Sequence, residues 1–175
     1  MRGKKGVPHK EPDDPPRKRA NKVRGHGTWD KDRPPVHGVV GRESGQIRLE
    51  VIHNAAWADL SPLLVEATAL DATVNTDDWL GYFPLSRHGR KHVTVCHSTR
   101  NPVWARDLDG DGVNEVHSNT MEGIWTGLRN FLRPFRGVSK VYLQQYVVMF
   151  EWAHNLKTVT LQFLRILCGV TQFAT

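Results

Sequence analysis

The sequence predicts an α/β layer fold. Three observations carry this: a pair of short Val/Ile-rich runs separated by a four-residue turn segment, an apolar run at helical spacing followed by two further short strands, and a C-terminal third that reads as helix throughout. Val36–Arg42 and Ile47–His53 flank Glu43-Ser44-Gly45-Gln46, which reads as a β-hairpin. In the second run Ile47, Leu49 and Val51 alternate with Arg48 and Glu50, the period of a half-buried strand. Leu60, Leu63, Leu64, Ala67 and Leu70 mark a helix over 60–70, with Asp59 as its expected N-cap. Residues 72–76 and 92–97 are expected strands, with an aromatic, irregular stretch at 79–85 between them. Ile124, Trp125, Leu128, Phe131 and Leu132 define one face of a helix over 119–133, which Pro134 and Gly137 end. Helices are expected again over 139–154 and 160–168.

Composition limits the function classes. The chain has 175 residues, 39% hydrophobic and 24% charged, so it can form a sizeable core. Its longest uncharged stretches are ten residues (141–150 and 166–175), against the roughly 20 apolar residues that a membrane helix needs. No apolar run follows the Met-Arg-Gly-Lys-Lys start, so no secretory signal is expected. Two cysteines, Cys96 and Cys168, do not make a disulfide framework, and a cytoplasmic location is expected.

The charge is concentrated. Residues 1–38 hold eleven Lys/Arg and five Asp/Glu, which is the whole net charge of +6; residues 39–175 hold thirteen of each. Six of the ten prolines also lie in this arm. Its few large apolar residues cannot offset the entropy of ordering it, so an extended arm is expected over residues 1–35. Lys4, Lys5, Arg17, Lys18, Arg19, Lys22 and Arg24 suit contact with nucleic-acid phosphates, and a solvated linker has the same composition. A folded domain is expected over 36–157 and a helical tail over 158–175.

Several residues could carry chemistry. Asp77 follows a strand, at the edge where α/β sheets place ligands; a turn aspartate occupies the same position. Asn119-Thr120-Met121-Glu122 has capping-box spacing, which accounts for Glu122 without any chemistry. Arg129 lies seven residues on, almost two turns along the same face. His117 precedes this helix and could reach the same edge. Asp107-Leu108-Asp109-Gly110-Asp111-Gly112 matches the start of an EF-hand loop, but Ser118 stands where its bidentate Glu belongs and no helix precedes it, so a polar excursion is the expectation. His92, Cys96 and His97 lack zinc-ligand spacing.

Two blocks resemble a known family. His117-Ser118-Asn119-Thr120-Met121-Glu122-Gly123-Ile124-Trp125, with Arg129, the run Leu132 to Val138, Tyr142-Leu143 and Tyr146, forms one. Thr76-Asp77-Asp78-Trp79-Leu80-Gly81-Tyr82 forms the other. Together they resemble bacterial insertion-sequence transposases of the DDE superfamily, in the IS-fifteen-ninety-five (ISXO-two-like) group, from about Gly3 to about Thr160. The resemblance implies an RNase H-like fold, a mixed sheet with flanking helices. It also implies three acidic residues that hold two divalent ions, Mg²⁺ or Mn²⁺, for phosphoryl transfer on DNA. By position Asp77 matches the second acidic residue and Glu122 the third, with 44 residues between them, and Arg129 takes the basic place. His117 and Asn119 would be supporting residues. The family's first Asp, on the central strand, precedes a Gly-Lys-rich stretch that corresponds here to Arg2-Gly3-Lys4-Lys5-Gly6, and only Met1 precedes that. The expectation is therefore a transposase catalytic domain lacking its first, central strand, inactive as this chain. It would act on insertion-sequence ends and target DNA as a homo-oligomer when full length, within the bacterial nucleoid. The alternative is a non-catalytic DNA-binding remnant that interferes with transposition.

Overall fold

A computed structural model describes residues 27–97, 102–157 and 160–169. The seven basic residues expected to meet DNA, Lys4, Lys5, Arg17, Lys18, Arg19, Lys22 and Arg24, lie outside the described residues.

The hairpin forms where the alternation placed it. Strand β1 (Val36–Val40) pairs antiparallel with β2 (Ile47–Val51), Val36 opposite Val51 and Val40 opposite Ile47. The Gly41 N–H donates to the Gln46 carbonyl and the Gly45 N–H to the Gly41 carbonyl, and Gly45 takes a φ of 64°, which glycine adopts without penalty. Before β1, the chain is strapped down. The Trp29 N–H donates to the His53 carbonyl, and the Lys140 ammonium contacts both the Trp29 carbonyl (2.9 Å) and the Asp32 carboxylate (2.9 Å).

Helix α1 (Trp57–Ala67) begins and ends earlier than its apolar spacing suggests. Asp59 is not its N-cap. That position falls to Ala56, and the Asp59 carboxylate instead accepts the Asn54 N–H at 3.0 Å, bracing the loop into the helix. At the other end Arg90, 6% exposed, donates to the Thr68 hydroxyl and to the carbonyls of Val65, Thr68 and His88. This guanidinium satisfies carbonyls that a continuing helix would have used, and it leaves Leu70 outside the helix.

Strand β3 (Thr73–Asp77) pairs in parallel with β4 (Lys91–Val95), Asp77 opposite Val95. A 3-10 stretch over Leu80–His88 joins them and buries Leu85 completely. The region expected to be a simple polar excursion contains a small antiparallel pair, β5 (Ala105–Arg106) with β6 (Val116–His117). Helix α2 (Asn119–Leu132) follows, then a reversal in which Arg136 and Gly137 both take positive φ, then α3 (Lys140–Asn155) and the short α4 (Leu161–Leu167). Ser118, not Asn119, holds the N-cap position of α2.

The strands do not form one mixed sheet. Among the described residues they form three two-stranded sheets, β1–β2, β3–β4 and β5–β6. Two apolar clusters hold them. One joins Ile47 and Leu49 of β2 to Ile124 and Leu128 of α2 and Val147 of α3. The other joins Ile52, Leu60 and Leu64 around α1 to Val74 of β3 and Leu85. The hairpin is shared, since Val36 and Val40 pack on the first cluster and Val39 on the second. No helix of the described residues is long and apolar enough to cross a membrane.

Candidate functional site

A cleft of about 1040 Å³ runs between β1 and β3 and reaches the first turn of α2. Asp77, Glu122 and His117 all line it; Asn119 and Arg129 are not among its lining residues, and both are exposed.

Asp77 is the last residue of β3, and its carboxylate accepts the Trp79 N–H at 3.3 Å. The turn role and the position at the strand end thus coexist in one side chain. The Tyr82 phenol is pushed up to about 12, first by burial and then by the negative charge of Asp77. Tyr82 sits on the same cleft, against His37 at 6.4 Å between ring centroids.

Glu122 stands in the first turn of α2 and does not make the expected capping box. The Ser118 hydroxyl donates to its carboxylate at 2.9 Å. The two nitrogens of His97 contact this pair, Nε2 at 3.1 Å from the Ser118 oxygen and Nδ1 at 3.7 Å from the Glu122 carboxylate. Glu122 remains more than half exposed, so its charge stays hydrated and available to a cation. His97 and Ser118 are therefore neighbours of the site that spacing alone did not single out. Only the fold brings the end of β4 to the start of α2.

His117 is held from its backbone. The Arg42 guanidinium donates to the carbonyls of Glu115 and His117, the latter at 3.0 Å. Burial and then the Arg42 charge lower the His117 pKa, which favours the neutral ring. Its buried Nδ1 has no partner among the described residues, and the same is true of His37 Nδ1 and Asn75 Oδ1.

The second acidic group is the loop that resembles an EF-hand start. Asp107, Asp109, Asp111 and Glu115 bring ligand atoms within 4.8 Å of one another. Glu115 is the member the sequence missed: it falls at the ninth loop position, while the comparison with an EF-hand concentrated on Ser118 at the twelfth. Asp107 accepts the Gly110 and Gly112 N–H groups at 2.6 and 2.8 Å, and these bonds lower its pKa. Glu115 accepts the Leu108 N–H at 2.9 Å. The acids close the loop on itself, as turn residues do.

The described residues form a mixed α/β domain with carboxylates at a strand end and at a helix start. The family comparison is more specific: the profile of the ISXO2-like transposase domain matches residues 7–155, and the chain belongs to that transposase family. Among similar curated proteins, an uncharacterised protein in the transposable element ISH50 of Halobacterium salinarum is 32% identical over 150 residues, 85% of this chain and 48% of that protein. An uncharacterised transposase-like protein of Haemophilus influenzae is 27% identical over 105 residues, 60% of this chain and 77% of that protein. The chain thus spans about half the length of the first relative. No solved structure matches.

Proposed function

We propose that this chain is the larger part of a transposase catalytic domain, with Asp77 and Glu122 as two of its metal-holding carboxylates and DNA as its substrate. The observation that carries the reading is that one cleft is lined by both residues, although 44 residues separate them. The donor set suits Mg²⁺ or Mn²⁺. Both are hard cations that take carboxylate oxygen, and Mg²⁺ keeps several waters when a protein offers few ligands. Bound there, such an ion would activate the attacking oxygen and stabilise the leaving oxygen of a phosphodiester. The chain's own residues prepare the place. Asp77 is fixed by the turn into Trp79, and Ser118 with His97 orients Glu122.

In this reading the domain is RNase H-like, and among the described residues no strand lies between β1 and β3. Arg129, exposed on α2 outside the cleft, serves DNA phosphate, and so do the basic residues of the arm. The full-length protein acts as a homo-oligomer on insertion-sequence ends within the nucleoid. Asn119 supports the turn that presents Glu122.

Mn²⁺ binding to the full chain, followed by electron paramagnetic resonance, tests the site. Asp77→Asn and Glu122→Gln should each weaken binding about tenfold or more, since each removes a charged ligand. Unchanged binding in both variants would return Asp77 to its turn and Glu122 to the helix start. A second reading, a DNA-binding remnant without catalysis, draws on the concentration of the +6 charge in residues 1–38. Both readings expect weak duplex binding with a log–log salt slope of roughly −4 to −5, if about half the arm's basic residues meet phosphates. They part on cleavage: a version extended by an aspartate-bearing strand should cut cognate ends in Mg²⁺ or Mn²⁺ only if the first reading is right.

A further inference from the structure

The residues after Glu122 carry charge of one sign. Residues 123–150 include Arg129, Arg133, Arg136 and Lys140 and no Asp or Glu, whereas residues 39–175 as a whole hold thirteen basic and thirteen acidic groups. Lys140 is engaged, since it contacts the Asp32 carboxylate and the Trp29 carbonyl. Arg129 and Arg133 are exposed and form no ion pair among the described residues. Arg133 ends α2 with helical dihedrals, φ −57° and ψ −42°. The two side chains therefore leave the helix one turn apart on one face, about 6 Å along the axis. That step is close to two rises of a stacked nucleic-acid strand at about 3.4 Å each.

Aromatic rings lie beside these charges. Phe135, in the turn between α2 and α3, is 43% exposed. Its ring is held edge-on by Phe131 at 5.6 Å and by Tyr146 at 4.7 Å between centroids. Tyr142, 61% exposed, stands one helical turn before Tyr146 on the same side of α3. The Phe135 ring is thus fixed before any ligand arrives, so stacking on it costs little side-chain entropy. Arg136 adjoins it at a φ of 53°, a conformation that glycine adopts without the steric penalty an arginine meets.

The N-terminal chain meets the body at this same end. Lys140, in the first turn of α3, lies over the Trp29 ring at 5.3 Å from its centroid, besides its contacts with the Trp29 carbonyl and Asp32. In sequence, Arg17, Lys18, Arg19, Lys22 and Arg24 precede that anchor, and they lie outside the described residues. The anchor joins the most basic stretch of the chain to the basic turn.

We propose that the α2–α3 turn is a platform for a single strand of DNA, with Arg129 and Arg133 on its phosphates and Phe135 and Tyr142 as stacking faces for unpaired bases. It lies outside the cleft, since none of these four residues lines it. Arginine contact with phosphate is indifferent to sequence, and every base has a π-face, so the platform reads no sequence. A duplex offers its phosphates but keeps its bases in the stack, so it can use the arginines and not the rings. The choice of DNA rests on the proposed function; the preference for unpaired bases rests on the rings alone.

The test follows the fluorescence anisotropy of a labelled oligothymidine, and of a blunt duplex of the same length, titrated with the full 175-residue chain. Tyr142→Ala and Phe135→Leu should each weaken oligothymidine binding about fivefold or more and change duplex binding less than about twofold. Tyr142 is exposed and Phe135→Leu keeps the apolar bulk of the turn, so both variants should melt as the wild type does. The double variant Arg129→Gln, Arg133→Gln should weaken both DNAs and flatten the log–log salt slope on oligothymidine by roughly 1.4, two contacts at about 0.7 each. Arg87→Gln, at an exposed arginine of the 3-10 stretch, should leave that slope unchanged. Equal losses on both DNAs in the ring variants, the same flattening in Arg87→Gln, or oligothymidine binding that no variant weakens would overturn the platform. So would self-association of the chain that Tyr142→Ala abolishes, which would give the rings to a second copy. Tighter binding to phosphatidylserine vesicles than to oligothymidine would give the turn to a membrane surface and overturn it as well. Mn²⁺ binding measured without DNA reports on Asp77 and Glu122 alone, so the proposed function and the platform fail separately.

Discussion

The hairpin has two outer edges, and the molecule treats them in opposite ways. Along β2 the outward N–H groups of Ile47, Leu49 and Val51 donate to the side chains of Asn155, Glu151 and Gln144 at 2.8, 2.6 and 2.7 Å. Asn155 also returns a bond from its amide to the Ile47 carbonyl at 2.8 Å. Helix α3 thus stands in for a neighbouring strand. The match is geometric. The four-residue step from Glu151 to Asn155 advances about 6 Å along the helix axis, close to the roughly 6.7 Å between alternate strand residues. Along β1 no such cover exists among the described residues, and the outward groups of Val36, Gly38 and Val40 face the cleft. An edge that the domain closes by itself is satisfied with side chains. The β1 edge borders a cleft instead, with no strand or helix side chain bonded along it among the described residues.

The largest expected effect comes from separating the two halves on either side of the cleft. Leu85 is fully buried under β3, so Leu85→Ala should cost about 2–5 kcal/mol. Hydrogen exchange should then show protection lost across 73–77 and 91–95 before the hairpin, because no backbone bond joins the two strand pairs among the described residues. Simultaneous loss in both pairs would show that the shared hairpin packing couples them more strongly than the open cleft divides them.

Glu151→Ala strikes the closed edge. Glu151 is 14% exposed and accepts from the Leu49 N–H while pairing with Arg48. Its loss leaves a part-buried donor unpaired and should cost about 2–3 kcal/mol in urea denaturation. A cost below about 0.5 kcal/mol would mean that water serves this edge as well as α3 does.

Acid should act through His37 on the open side. Burial lowers its pKa to about 4 from an unfolded value near 6.5. The unfolded chain therefore binds the proton first, and stability is lost as pH falls from about 6.5 towards 4. At pH 5 the loss reaches about 2 kcal/mol relative to neutral pH. The difference between the wild type and His37→Phe, followed through this window, isolates it from His92 and His117, whose pKa values are also lowered. Parallel pH profiles would show that the ring is protonated without cost. The smallest effect is expected at Gln144→Ala, about 1 kcal/mol, because a neutral acceptor is lost at one end of the ladder.

Much of this was legible along the chain. The alternation of Ile47, Leu49 and Val51 marked β2, and the spacing of Ile124, Leu128 and Phe131 marked α2, because burial repeats at the period of each element. Asp77 at a strand end, Glu122 at a helix start and the family itself were equally readable, since local patterns carry them. The start of α1 was not, because Asp59 serves the preceding loop instead of the helix. Its end was not either, because a distant guanidinium, Arg90, caps it. Tertiary structure alone decided that Ser118 and His97 meet Glu122, that α3 closes β2, and that β1 and β3 face each other without pairing. Periodicity records which side of an element is buried. It does not record which partner, 20 or 100 residues away, supplies the missing hydrogen bond, because that depends on how whole elements pack.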